Sequence, residues 1–582
     1  MREQLREPND TLTEPPVVQP TASLSNLPFA TEDEVGLLDE VFAASLASPL
    51  VNAEFPSDPV TLREALGSTD ADSWRAGIQE ELKSLSEMGV YKLVPRSSVP
   101  AGRKILRGKW VFRLKRNENG EPVRYKARLV VKGFEQVFGQ DYVDTTSPTA
   151  RMESLCLVLH LAAVNNWEIQ QVDIKTAYLY GLLSADEVVY MEQPRGFADL
   201  GKEDWVWELQ RGLYGMKQSG RIWNKTMNKA LLSWGFKRLM ADPCVYYRHS
   251  KSGTILTAIH VDDFLIAGSS PEVCATFKAQ LKTLWSISNL GDATFCVGIA
   301  ISRDRAACTV SLSQTALIDR VVSTFGQAEA YPISTPMDSN VQLRRPTSDE
   351  SLSASELSAL AELPYRSLVG SLMYLAVGTR PDISYAVSKL TQFLDCYRHS
   401  HWAAALRVVR YLKGTRTLSL LLGNSSTISL VGFSDSSYAD CLDTRRSCMG
   451  YCFSLGGAVF SWSSRKQKTV ACSTCDAEYI AVSESCREAL WLRSFLRELG
   501  LLKDDPTTLL CDNNGAMALS NDPTLHSRSK HIDVRHHFIR KHVETGSIDL
   551  ARIPSADNLA DVFTKALPRP AFERFRSFLG LC

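Results

Sequence analysis

No stretch of this chain approaches the roughly 20 consecutive apolar residues that a membrane-spanning helix requires. Its polar start, Met1-Arg-Glu-Gln-Leu-Arg-Glu-Pro-Asn-Asp10, has no apolar core for a signal peptide. Membrane insertion and secretion are therefore not expected, and the reading is of a soluble protein of the cytoplasm or nucleus. Net charge is missing as well: Lys plus Arg and Asp plus Glu number 65 each, so the chain as a whole gives no sign of a nucleic-acid partner. Organised cysteine is also missing. The 14 cysteines stand singly except for Cys472-Ser-Thr-Cys475, with no second CxxC or Cys/His pair at zinc spacing. That excludes a disulfide-stapled fold, leaves a zinc module without its second half, and points to reduced thiols. No internal repeat is visible.

What is present is length and local asymmetry. At 582 residues the chain exceeds what one hydrophobic core supports, so at least three structural units are expected. Residues 1–55 are rich in Pro, Ser, Thr, Glu and Asp and read as a flexible leader. Trp74, Ile78, Leu82 and Leu85, spaced by three and four, predict a helix, and Val90 to Val94 a strand. Between Arg103 and Lys132 there are eleven Lys/Arg against two Glu, a local balance of 11 − 2 = +9 on strand-like segments separated by Asn117-Glu-Asn-Gly120. Alone this is as well explained by a solvated face; upstream of an acidic hairpin it suits a phosphate-facing surface.

That hairpin is the most informative local pattern. Thr254 to Val261 and Phe264 to Gly268 are apolar, β-branched runs meeting at Asp262-Asp263, which predicts two strands with both acids at a two-residue tip. An Asp-Asp pair alone is most simply a turn. A third acid, Asp173, ends another strand-like run, Ile169-Gln-Gln-Val-Asp-Ile174. Three converging carboxylates suit hard divalent cations and phosphoryl transfer.

Asp173 with Tyr178 five residues on, followed by Val261-Asp262-Asp263, resembles motifs A and C of a reverse transcriptase palm. Arg124-Tyr-Lys-Ala-Arg-Leu-Val-Val-Lys-Gly-Phe-Glu-Gln136, Leu213-Tyr-Gly-Met-Lys-Gln-Ser-Gly-Arg-Ile-Trp223, Asp242-Pro-Cys244 and Tyr365-Arg-Ser-Leu-Val-Gly-Ser-Leu-Met-Tyr-Leu375 are, in this order, similar to segments of copia-type retrotransposon polyproteins. The resemblance covers roughly residues 60 to 570 and implies a multidomain α+β protein. Residues 56–310 would form the fingers and palm of a right-hand polymerase with an antiparallel sheet, 311–425 a helical thumb and connection, and 426–582 an RNase H-like mixed α/β domain. It implies RNA-directed DNA polymerase activity, with Asp173, Asp262 and Asp263 holding two Mg2+ or Mn2+ ions. Lys126 and Arg128 would meet the nucleotide triphosphate, Tyr178 would block a ribose 2′-hydroxyl, and Lys217, Gln218 and Arg221 would support the templating base and nucleotide.

A second acid set follows: Asp435 at the end of a strand, Glu478 in what reads as a helix's first turn, Asp512 after another strand, and Asp561 near the C-terminus. Each alone suits a surface or capping role, Glu478 through the helix dipole. Their order resembles the RNase H site attached to copia-type enzymes, which implies two further metal ions and cleavage of RNA in RNA–DNA hybrids. Five of the ten histidines lie from His526 to His542; Ile532, His536, Ile539 and Val543 share one helical stripe, which suits an amphipathic helix with a basic face rather than zinc.

The implied partners are an RNA template, a DNA primer, the hybrid and deoxynucleoside triphosphates, with no membrane, and with integrase and capsid regions supplied elsewhere. The implied location is a cytoplasmic virus-like particle, the nucleus, or both. His260 stands where the family more often has Tyr, which would alter packing at the primer terminus and make activity pH-sensitive. The competing reading is an inactive element remnant that only binds nucleic acid; the survival of all seven carboxylates weighs against it.

Overall fold

In the computed structural model, residues 58–116, 122–347, 350, 352–425, 427–502, 504–521 and 533–582 are described. The expected leader (1–55), the Asn117 to Gly120 turn, and His526, His531 and Ile532 lie outside them. The first amphipathic run forms the helix Ala71–Glu87, which buries Trp74, Ile78 and Leu85. Trp74 meets Phe112 and Tyr125 edge-on, at 5.2 and 4.9 Å between ring centroids, and so docks the helix on a two-stranded hairpin. That hairpin pairs Gly108–Arg116 with Pro122–Val131 antiparallel. Strand alternation buries Ala127, Leu129 and Val131 and turns Lys126 and Arg128 to the other face.

Next in the chain lies a six-stranded sheet, all of it antiparallel. Its order across the sheet is Ile287–Asp292, Glu168–Ile174, Asp263–Gly268, Gly253–His260, Val245–Ser250, Lys237–Arg238. The helix Met152–Val164 packs against it and is buried at every position from Ser154 to Ala163, as expected for a helix apolar all round. Its other neighbours include Thr309–Ser313, Leu420–Gly423 and Ala458–Lys466, so the largest hydrophobic core runs from Leu155 to Leu581.

From 315 to 414 the chain is mainly helical: Thr315–Thr324, Ala354–Ala361, Tyr365–Gly378, Ser384–Thr391 and His399–Gly414. Thr309–Ser313, which straddles the expected boundary at 310/311, pairs with Leu420–Gly423 and so carries the sheet across it. The last sheet is mixed. Ala458–Lys466, Cys448–Leu455 and Leu430–Ser437 are antiparallel neighbours, and Thr507–Cys511 and Ile548–Arg552 continue it in parallel. The long helix Thr474–Glu498 covers it. Mainly antiparallel sheets, with one parallel pair between Ile105–Leu106 and Val189–Glu192, a helical middle and a mixed α/β end make up the expected multidomain α+β architecture.

Candidate active sites

Register sets Asp263 and Asp173 side by side, with Asp262 near enough to feel both charges, although the three carboxylates do not all lie within 4.8 Å of one another. Asp263 sits directly opposite Asp173, whose other neighbour is Ser288. The hairpin turn differs from the expected one: the strands end with His260 opposite Asp263, so Val261 and Asp262 form the turn and Asp263 already belongs to the second strand. The cause is tertiary, because pairing of Asp263 with Asp173 extends the strand by one residue. Val261 is thereby driven to φ 59°, a left-handed conformation that is strained for a β-branched residue. Trp223 Nε1 donates to the Val261 carbonyl at 2.6 Å, and Ile174 N to the Asp262 carbonyl at 2.9 Å, which hold the turn. Gln171 Nε2 donates to Asp263 Oδ1 at 3.3 Å. Burial raises both carboxyls above the ordinary range, and Asp173 adds to this. His260 is shifted the other way: burial lowers its pKa against the pull of Asp262.

Around this turn stand the residues expected to meet a nucleotide. The Arg128 guanidinium lies 4.7 Å from the Tyr214 ring, and Tyr214 meets Tyr178 edge-on at 5.5 Å. Burial, then the Asp262 charge, raises the Tyr178 phenol, with Arg128 opposing. Lys126 shares the Arg128 face, and burial raises the carboxyl of Glu81 while Arg128 and Lys126 lower it. Tyr178, Trp223, Met227 and Val261 line a cavity of about 160 Å³. Lys217 points elsewhere, its ammonium 2.9 Å from the Tyr142 hydroxyl. Gln218 is fully buried, with its amide committed to the Asp141 carbonyl and to Gln136. Arg221 is ion-paired with Glu187.

The second set is tighter. Asp435, Glu478 and Asp512 each place a carboxylate oxygen within 4.8 Å of the others. Asp435 lies in the central strand Leu430–Ser437, and Asp512 follows the neighbouring Thr507–Cys511. Glu478 is not in the first helical turn as the sequence suggests. Ser473 caps the helix through Asp476 N, which puts Glu478 one turn inside, facing the sheet rather than the helix N-terminus. Ser436 N donates to its Oε1 at 3.3 Å, and its buried Oε2 has no hydrogen-bond partner among the described residues. Burial, with Asp435 and Asp512 alongside, pushes its carboxyl up to about 9. Asp561, in the short helix Leu559–Phe563, is pushed up to about 7 by burial and by Asp435.

Lys565 was not singled out from sequence, yet its ammonium lies 2.9 Å from Asp561 and 3.7 Å from Asp435. Thr564 donates to Asp435 as well. The oxygens of Asp435, Glu478 and Asp512 are close enough to share a divalent cation, and Glu478 Oε2 has no hydrogen-bond partner among the described residues. Cys472 and Cys475 are free thiols; burial raises that of Cys475. The expected basic helix exists as Asp533–Glu544, with Ile539 buried on its inner side.

A family model described as reverse transcriptase (RNA-dependent DNA polymerase) matches residues 88–339. The chain is 40% identical over 528 residues to the retrovirus-related Pol polyprotein from transposon TNT 1-94 of Nicotiana tabacum, covering 90% of this chain and 39% of that one. It therefore spans well under half the length of that relative. It is 34% identical to the putative transposon Ty5-1 protein YCL074W of Saccharomyces cerevisiae, covering 54% of this chain and 100% of the relative. A solved foamy viral protease-reverse transcriptase in complex with ds DNA aligns with 94% of this chain and 84% of its own, at a TM-score of 0.47 and 12% identity.

Proposed function

The chain belongs to the Pol family of copia-type retrotransposons, in its reverse transcriptase portion, and from that premise we propose that it is an RNA-directed DNA polymerase joined to a ribonuclease H. The observation that carries this is the register that sets Asp263 opposite Asp173 beside a strained, tethered turn bearing Asp262. Asp173, Asp262 and Asp263 would hold two Mg2+ or Mn2+ ions at the polymerase site. Asp435, Glu478, Asp512 and Asp561 would hold two at the nuclease site. Bound there, the ions supply Lewis-acid activation of the attacking oxygen and neutralisation of phosphate charge.

The chain's own groups do the positioning. Gln171 fixes the Asp263 carboxylate, and the Trp223 and Ile174 hydrogen bonds fix the turn, so the acids need no reorganisation when substrate arrives. Arg128 and Lys126 face the triphosphate, where a guanidinium binds bidentately. The half-buried Tyr178 ring presents a wall that a 2′-hydroxyl would strike, which selects deoxynucleotides. Lys217 supports the template side, and Gln218 acts beneath it as a strut. At the nuclease site Lys565 and Thr564 keep Asp435 and Asp561 oriented despite their like charge.

Residues 56–310 and 311–425 constitute the polymerase with its thumb and connection in this reading, and 426–582 the nuclease. RNA template, DNA primer, hybrid and deoxynucleoside triphosphates are the partners, acting in cytoplasmic particles or the nucleus. Two substitutions test the division. Asp262→Asn abolishes primed synthesis and leaves hybrid cleavage, whereas Asp435→Asn does the reverse, each by roughly 100-fold or more. Loss of both activities in either variant contradicts two independent sites.

A further inference from the structure

Four large apolar side chains within ten residues are exposed: Phe134 (77%), Val137 (39%), Phe138 (69%) and Val143 (60%). They do not sit on a loose loop. Glu135, Gln136 and Asp141, between and beside them, are buried. Gln136 Nε2 donates to Gln218 Oε1 at 3.0 Å, Gln218 Nε2 to the Asp141 carbonyl at 2.7 Å, Lys217 N to Gln136 Oε1 at 2.8 Å, and Val137 N to Asp141 Oδ2 at 2.8 Å. Beneath them two backbones touch: a Cβ on Gly133 would strike the Gly215 carbonyl, and one on Gly215, at φ +86°, would strike that of Val131. A network of buried amides thus clamps the loop to the Leu213 to Gln218 segment of the polymerase-like site while turning phenyl rings to water.

Exposed aromatic rings held rigidly suit a partner that offers flat faces. The charges around them say which. Lys217 lies 4.7 Å from the Tyr142 ring, which meets Phe138 edge-on at 5.7 Å, and Arg103 reaches the Gln140 carbonyl at 2.6 Å. Arg107, Arg103 and Arg221 answer the loop's own acids, Glu135, Asp141 and Asp144, which leaves Lys217 as the cation beside the rings. Rings plus cations are the combination that binds unpaired nucleic acid, since bases in a duplex already stack on one another.

We propose that Phe134 and Phe138 form a stacking platform for unpaired template bases approaching the polymerase-like site, with Gln136 and Gln218 as its struts. This rests on the polymerase reading. The test is fluorescence anisotropy with a hybrid carrying a 5′ template overhang of about ten nucleotides against a blunt hybrid. Wild type prefers the overhang. Phe134→Ala/Phe138→Ala weakens overhang binding by about five-fold or more, leaves blunt-hybrid binding unchanged, and Phe134→Trp/Phe138→Trp restores it. Both phenylalanines are exposed, and an unchanged melting temperature verifies folding. Unchanged overhang binding in the alanine variant, equal weakening of both ligands, or a concentration-dependent dimer lost in that variant overturns the platform. Primed synthesis by a chain whose overhang binding ignores these residues leaves the polymerase reading standing, whereas a wild-type chain that binds neither ligand removes both.

Discussion

Glu478 stands one turn inside its helix with a buried oxygen that has no hydrogen-bond partner among the described residues and like charges around it, which is unfavourable until a proton or a cation arrives. Added Mn2+ or Mg2+ therefore raises the melting temperature, by the equivalent of about 3 kcal/mol at a hundredfold excess over Kd. Glu478→Gln removes most of that rise, which differential scanning fluorimetry measures; an equal rise in the variant contradicts ligation at this site. At this scale the acids were legible because each ends or follows a strong local pattern. Lys565 was legible in principle, lying four residues after Asp561, one helical turn away. The Thr564 contact with Asp435, 129 residues distant, was not, since nothing local encodes it.

Among the elements, the buried helix Met152–Val164 is the axis on which the sheets meet, and His160 carries its only ring nitrogen contact of note: Gly423 N donates to its Nδ1 at 3.2 Å. Burial pushes this imidazole down to about 4. Above pH about 6.5 both folded and unfolded chains hold it neutral, and its contribution to stability is fully present. As pH falls through that value toward about 4 only the unfolded chain gains the proton, so the contribution is lost, by about 3 kcal/mol in total. Chemical denaturation of wild type and His160→Gln at pH 7 and pH 4 checks this: the variant lacks that part of the acid sensitivity, and identical pH slopes contradict it. Strands and helices were largely readable here from alternation and spacing. The hairpin tip was misplaced by one residue because the deciding partner, Asp173, lies in a strand some ninety residues away.

Across the whole molecule, the polymerase-like and nuclease-like parts are joined by a charged latch. Arg151 reaches Glu488 at 3.0 Å and lies 3.8 Å from the Trp491 ring, Trp491 Nε1 donates to the Ala241 carbonyl at 2.8 Å, and Glu498 accepts from Ala241 N at 3.0 Å. Without the guanidinium, the buried Glu488 keeps the Ser461 hydroxyl but loses its opposite charge, a cost on the order of 3 kcal/mol. Arg151→Ala therefore lowers the melting temperature and raises hydrogen exchange at both faces; an unshifted transition contradicts the latch. Charge counts could not reveal it, because its members are 337 residues apart in sequence.

Deoxynucleotide incorporation on poly(rA)/oligo(dT) with Mg2+ reports whether Asp173, Asp262 and Asp263 make a polymerase site. Wild type extends the primer and Asp262→Asn, equally folded, falls by roughly 100-fold or more. Extension that survives the substitution, or a folded wild-type chain that extends nothing, contradicts a polymerase site at these acids.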